Sequence, residues 1–127
     1  MEKKEISTDL VAKPFGIFSQ GMQAGNLIFA SGQVARNVQG ELVGMGDIKA
    51  QTRQCLENLQ AVLQAAGATM NDVVKVTMFV TNMDHLMEIH EVRALYFQPP
   101  YPASTLIQVS RFTNKDFLIE VEAIAVV

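Results

Sequence analysis

The segment from Val73 to Thr81 has apolar residues on both of its faces, with Val74, Val76, Met78 and Val80 on one and Val73 and Phe79 among Lys75, Thr77 and Thr81 on the other. Successive residues of a β-strand point to opposite sides of the sheet, so such a strand asks for cover on both sides. The chain is 127 residues long, enough for one domain spanning 1–127. Its helical periodicity supplies only two helices, and these cover one face of a sheet. The other face is left apolar, and large exposed apolar patches on folded proteins mark interfaces. The expectation is a homo-oligomer in which sheets of different subunits pack together.

The remaining elements follow from local signals. Two short extended runs between Phe18 and Ser31 flank Ala24-Gly25-Asn26, residues that suit the positive φ of a hairpin turn. Arg36 to Gly40 reads as a loop, and Glu41-Leu42-Val43 as a brief strand. Asp47 is placed to cap a helix whose apolar stripe runs through Ile48, Cys55, Leu56, Leu59, Val62, Leu63 and Ala66, with Gly67 at its end. A second helix is expected from Asp84 to Phe97, burying Leu86, Ile89, Val92 and Tyr96 and stopped by Pro99-Pro100. Ser104 to Arg111 and Phe117 to Val127 read as a closing β-hairpin around the turn Thr113-Asn114-Lys115-Asp116. The order of elements predicts an α+β fold, a mixed β-sheet with two helices on one face.

Composition excludes several classes of function. With 49% hydrophobic and 18% charged residues the chain has a core to bury and is not a disordered segment. No apolar run approaches the roughly 20 residues of a membrane-spanning helix, and the start Met1-Glu2-Lys3-Lys4-Glu5 shows no targeting signal. A soluble, cytoplasmic protein is expected. The net charge is −3 and the basic residues are scattered, which disfavours nucleic-acid binding. One cysteine cannot make an internal disulfide, and Cys55 sits on the apolar stripe as a core residue rather than a nucleophile. His85 and His90, the two histidines, would lie about 140° apart around a helix and cannot share an ion. No metal site, nucleotide loop or cofactor is expected.

Glu120 and Glu122 lie on one face of the last expected strand together with Leu118, Ile124 and Val126. Carboxylates on so apolar a face either reach solvent, pair with Arg36, Arg53 or Arg111, or line a cleft where partial desolvation suits one of them to general acid–base work. Spacing alone leaves these open.

Gly16-Ile17-Phe18-Ser19-Gln20-Gly21, Gly25 to Gln33, Gln51 to Leu59, Asp72 to Thr77, Tyr101 to Thr105 and Ile119 to Ala125, in that order, resemble the Rid family, also called YjgF. The resemblance spans nearly the whole chain. It implies a chorismate-mutase-like subunit and a homotrimer with a central β-barrel, with ligand clefts between neighbouring subunits. It further implies cofactor-independent hydrolysis of 2-imino and 2-enamino acids to 2-keto acids and ammonia. Glu120 takes the place of the family's water-orienting glutamate. Ser31 and Gly32, and the pair Phe18 and Ser19, fall in its substrate cleft, Phe18 where tyrosine is usual. Ser104, followed by Thr105, stands where the deaminases carry an arginine that holds the substrate carboxylate. The reading is therefore an imine or enamine hydrolase acting through Glu120 on a small metabolite other than a standard 2-imino acid. The alternative is a non-catalytic trimeric module that binds a small molecule or regulates a partner.

Overall fold

The computed structural model describes residues 1–127. Six strands form one sheet: β1 (Lys3–Ile6), β2 (Gly21–Ala24), β3 (Leu27–Gln33), β4 (Val73–Val80), β5 (Ala103–Gln108) and β6 (Ile119–Val126). Their order across the sheet is β1-β2-β3-β6-β4-β5. Two helices, α1 (Ile48–Ala65) and α2 (Leu86–Arg93), complete the α+β fold.

The hairpin of β2 and β3 forms as its sequence suggests. Ala24 faces Leu27, and of the two turn residues Gly25 alone takes a positive φ, at 60°, the arrangement of a turn with glycine at its first central position. Helix α1 is bounded as read. The Asp47 carboxylate accepts from the Ala50 N–H at 3.1 Å, and Gly67 sits at φ 80°. The Gly67 N–H donates to the Gln64 carbonyl and the Ala68 N–H to that of Leu63, which satisfies two carbonyls the helix end leaves open.

Four expectations are corrected. β5 and β6 do not form a hairpin: β4 lies between them, parallel to β5 and antiparallel to β6. A parallel neighbour requires a crossover, and α2 provides it between β4 and β5. The strict alternation of β4 breaks at a bulge between Val73 and Lys75, so Val73 is buried and Val74 is exposed. Helix α2 is shorter than Asp84–Phe97, being preceded by a 3-10 turn at Met83–His85, and His85 precedes the helix as its cap residue. Leu42 makes only an isolated bridge to Arg36 rather than a strand. The polar strand β1 pairs with β2 and has no counterpart in the expected elements.

Both helices pack on one face of the sheet. Against them lie Val76, Met78 and Val80 of β4 and Ile119, Val121, Ala123 and Ala125 of β6, with Leu56, Leu59 and Leu63 of α1. Cys55 is fully buried among them. Gln51 of α1 is also fully buried. Its amide donates to the carbonyls of Gly44 and Asp116 and accepts from the Leu118 N–H, tying the helix to the loop that leads into β6. The opposite face carries Phe29, Val74 and Ile107 in exposed positions and Phe79 and Ile124 partly buried. This is the uncovered apolar face that the strand patterns foretell. No helix is long and apolar enough to cross a membrane.

Candidate active site

Glu120 stands on the open face of β6, opposite Phe79 of β4. Next to it β3 carries an irregularity between Ala30 and Gln33, where one more residue is spent than on β6. That irregularity holds Gly32 under the Glu120 side chain: a Cβ built on Gly32 would lie 2.7 Å from Glu120 Oε2. Glycine is needed here for space, not for an unusual backbone angle.

Glu120 and Gly32 share a cavity of about 200 Å³ with Phe15, Phe18, Arg36 and Asn58. Its roof is the segment before β2, pinned by the buried Gln20 amide, which donates to the carbonyls of Thr8 and Ala12 and accepts from the Thr8 N–H. Its side wall is the segment after β3, held by Asn58 of α1, whose amide donates to the carbonyls of Val34 and Arg36. The Arg36 guanidinium lies over the Phe15 ring, 4.4 Å from its centroid.

Burial, followed by the charge of Glu122, pushes the Glu120 carboxyl above its ordinary 4.5. No cation relieves it. The ion pairs of the chain are Lys49–Glu91 and His85–Glu88, and neither Glu120 nor Glu122 pairs with Arg36, Arg53 or Arg111. Arg36 is likewise free of a carboxylate, and burial lowers its pKa. The cavity thus holds one partly desolvated carboxylate and one partly desolvated guanidinium more than 4 Å apart.

The other residues singled out in the sequence are distributed around this centre. Phe18 lines the Glu120 cavity and also an adjoining depression that contains Ser19, Ser31 and Phe29. The Ser31 hydroxyl donates to the Ser19 carbonyl, a bond that closes the segment onto β3. Ser104 and Thr105 lie apart from Glu120 and on opposite faces of β5. Thr105 aligns with Thr77 on the open face, where its hydroxyl accepts from Lys75 Nζ at 2.6 Å. Ser104 aligns with Val76 on the helix face, where its hydroxyl accepts from Arg93 Nη2 of α2 at 3.0 Å. Arg36, Asn58 and Phe15 are cavity residues that sequence reasoning did not place there. The one available signal was a lone arginine immediately after Ser31-Gly32-Gln33-Val34-Ala35.

The fold is thus a helix-backed sheet whose bare face holds a half-buried glutamate over a glycine, in a cavity sized for a few heavy atoms. The chain belongs to the Rid (YjgF/RidA) family, whose model, described as Endoribonuclease L-PSP, matches residues 10–127. It is 48% identical over 124 residues to a RutC family protein of Pyrococcus horikoshii, covering 97% of each chain. It is 38% identical to the 2-iminobutanoate/2-iminopropanoate deaminase of Dermatophagoides farinae, covering 98% of this chain and 97% of that protein. The structure of Escherichia coli TdcF with bound serine superposes with a TM-score of 0.91 at 36% identity, covering 98% of both chains.

Proposed function

We propose that the chain is a cofactor-independent imine or enamine hydrolase that releases ammonia from a small reactive metabolite, with Glu120 as its catalytic residue. The observation that carries this reading is the Glu120 carboxylate itself, held in a cavity without an ion-pair partner and with its basicity raised by burial. In the proposed step water adds to the C=N carbon while Glu120 accepts its proton. The same carboxyl returns that proton to nitrogen to give a carbinolamine, then takes the carbinolamine hydroxyl proton and passes it to nitrogen as the C–N bond breaks and the C=O bond forms, so that a carbonyl compound and ammonia leave. An enamine enters the same path after protonation at carbon. The relatives named as deaminases and the serine bound to TdcF support a small amino- or imino-type ligand.

The site's surroundings fit a homotrimer in which the open sheet faces pack together as a central barrel and β5, an edge strand, approaches the next subunit's Glu120 cavity. Phe18, Ser19, Ser31 and Gly32 then line one side of the cleft and Ser104 and Thr105 the other. β5 carries no cation of its own at Ser104, which argues for a substrate other than a standard 2-imino acid and also favours the second reading, a non-catalytic binding module.

The experiment that separates them is ammonia release from a panel of imines, including neutral and aminomuconate-like compounds, by wild type and by Glu120→Ala. Hydrolysis above the buffer rate that disappears in Glu120→Ala is the expected result. Absence of acceleration across the panel, with ligand-dependent thermal stabilisation retained, overturns the hydrolase in favour of the binding module.

A further inference from the structure

Arg36 stands where the Glu120 cavity meets two others, a groove of about 590 Å³ that also contains Asp9 and Lys13 and one of about 270 Å³ that reaches Asn114. Its backbone is fixed: the N–H donates to the Val34 carbonyl, the carbonyl accepts from the Asn58 amide, and the residue bridges to Leu42. Its side chain is committed to nothing but the Phe15 ring. Arg93 and Arg111 spend N–H groups on Ser104 Oγ and on the carbonyls of Phe112 and Thr113, whereas the Arg36 guanidinium has no hydrogen-bond partner in the chain. The carboxylates that share a cavity with it are Glu120 and Asp9, and it pairs with neither. A guanidinium carries five N–H donors and no acceptor, and the ring contact engages its charge without using any of them. A half-buried cation on a pinned backbone, with its fork unspent, matches a planar oxyanion that takes two parallel hydrogen bonds. Arg36 is the one cation lining the Glu120 cavity, which suits a singly charged carboxylate better than a phosphate dianion.

We infer that Arg36 holds the carboxylate of a substrate whose acid group is separated from its C=N carbon by intervening carbons rather than attached to it. The inference rests on the hydrolase reading and deepens it by naming the substrate class. The reacting carbon must lie against Glu120, and a carboxylate attached directly to it would be set beside a like charge. A spacer instead carries the substrate's charge away from Glu120 to the cation at the other part of the same cavity. Both groups come from one chain, so the pairing of anchor and acid–base residue needs nothing from a neighbouring copy. Arg36 in this role is a specificity-determining residue, and Glu120 remains the group that handles the proton.

The test uses carbonyl compounds, the products of such a hydrolysis, as binding probes: 4-oxopentanoate, its uncharged amide, and 2-oxobutanoate, each by calorimetry. Wild type is expected to bind 4-oxopentanoate more tightly than either of the others. Arg36→Met, which keeps an unbranched chain against Phe15, should weaken binding of 4-oxopentanoate roughly ten- to a hundredfold, the loss of a charge-assisted pair, and leave the affinity for the amide as it was. Arg36→Lys, which keeps the charge without the fork, should fall between. With 4-iminopentanoate formed in situ by oxidation of 4-aminopentanoate, Arg36→Met should raise KM by a similar factor and lower kcat far less. Equal affinity of wild type for acid and amide, an unchanged affinity for 4-oxopentanoate in Arg36→Met, or tighter binding of 2-oxobutanoate than of 4-oxopentanoate overturns the inference. If wild type hydrolyses 4-iminopentanoate and Arg36→Met does so with the same KM, the anchor fails and the hydrolase stands. If no imine is hydrolysed yet 4-oxopentanoate binds through Arg36, the hydrolase fails and the anchor stands.

Discussion

Substituting Gly32 by alanine tests the geometry of the Glu120 cavity without removing any functional group. The added Cβ would sit 2.7 Å from Glu120 Oε2, 2.8 Å from its Cδ and 3.0 Å from its Cγ. Carbon–oxygen and carbon–carbon contacts are ordinary from about 3.4 Å outward, so the carboxylate must retreat by roughly 0.7 Å or swing to another rotamer. Gly32 has no positive φ, so alanine meets no backbone strain and reduces the freedom of the unfolded chain, worth ~0.4–1 kcal/mol in favour of folding. That gain offsets part of the packing cost, and the melting temperature should move little. Activity should respond far more, because a displacement near 1 Å of a group that positions a reactant costs about 100-fold. Ammonia release should therefore fall between tenfold and a hundredfold, approximate bounds from the same principle, with KM less affected. The double variant Gly32→Ala/Glu120→Ala should be no slower than Glu120→Ala alone, since both changes act through one carboxylate. Wild-type kcat in Gly32→Ala, or additive losses in the double variant, would refute the placement of Glu120 over Gly32 as the working geometry.

Further outcomes follow from other parts of the structure. The folded state holds the Glu120 pKa above its ordinary 4.5, so the native protein binds this proton more tightly than the unfolded chain does, and stability drops as pH rises through the window just above that value. Glu120→Gln should accordingly raise the melting temperature at pH 7 relative to wild type and lose that advantage below about pH 4, where both are neutral; an identical offset at both pH values would contradict a desolvated carboxylate. Gln51→Leu strands the carbonyls of Gly44 and Asp116 and the N–H of Leu118, and should cost about 2–4 kcal/mol in urea unfolding, with little change in the slope. If the open faces pack together as proposed, Ile107→Glu on that face, where Ile107 is 47% exposed, shifts the protein towards monomer in analytical ultracentrifugation; an unchanged mass would refute packing through that face.

Much of this architecture is legible along the chain because it depends on local periodicity. Helix α1 is the clearest case, with an apolar stripe, an aspartate at one end and a glycine at the other, each acting within a turn of where it stands. The uncovered sheet face is equally local, since β4 and β6 alternate apolar residues on both sides whatever their neighbours. What was misread depends on contacts between distant segments. β1 is a strand only because β2 offers it an edge, and Val74 is exposed only because a bulge against β6 shifts its parity.

The site divides in the same way. The amino-acid order determined that a carboxylate would stand at position 120 on an apolar strand face and that position 104 would hold a hydroxyl rather than a cation. Tertiary structure alone decided that Gly32 lies beneath that carboxylate, that β4 is inserted between β5 and β6, and that a guanidinium from α2 reaches the hydroxyl of Ser104. The reason is physical: periodicity and capping act over a few residues, whereas strand order and the crossing of a helix over a sheet are set by how the whole core packs, and those crossings bring side chains from separate elements to one point.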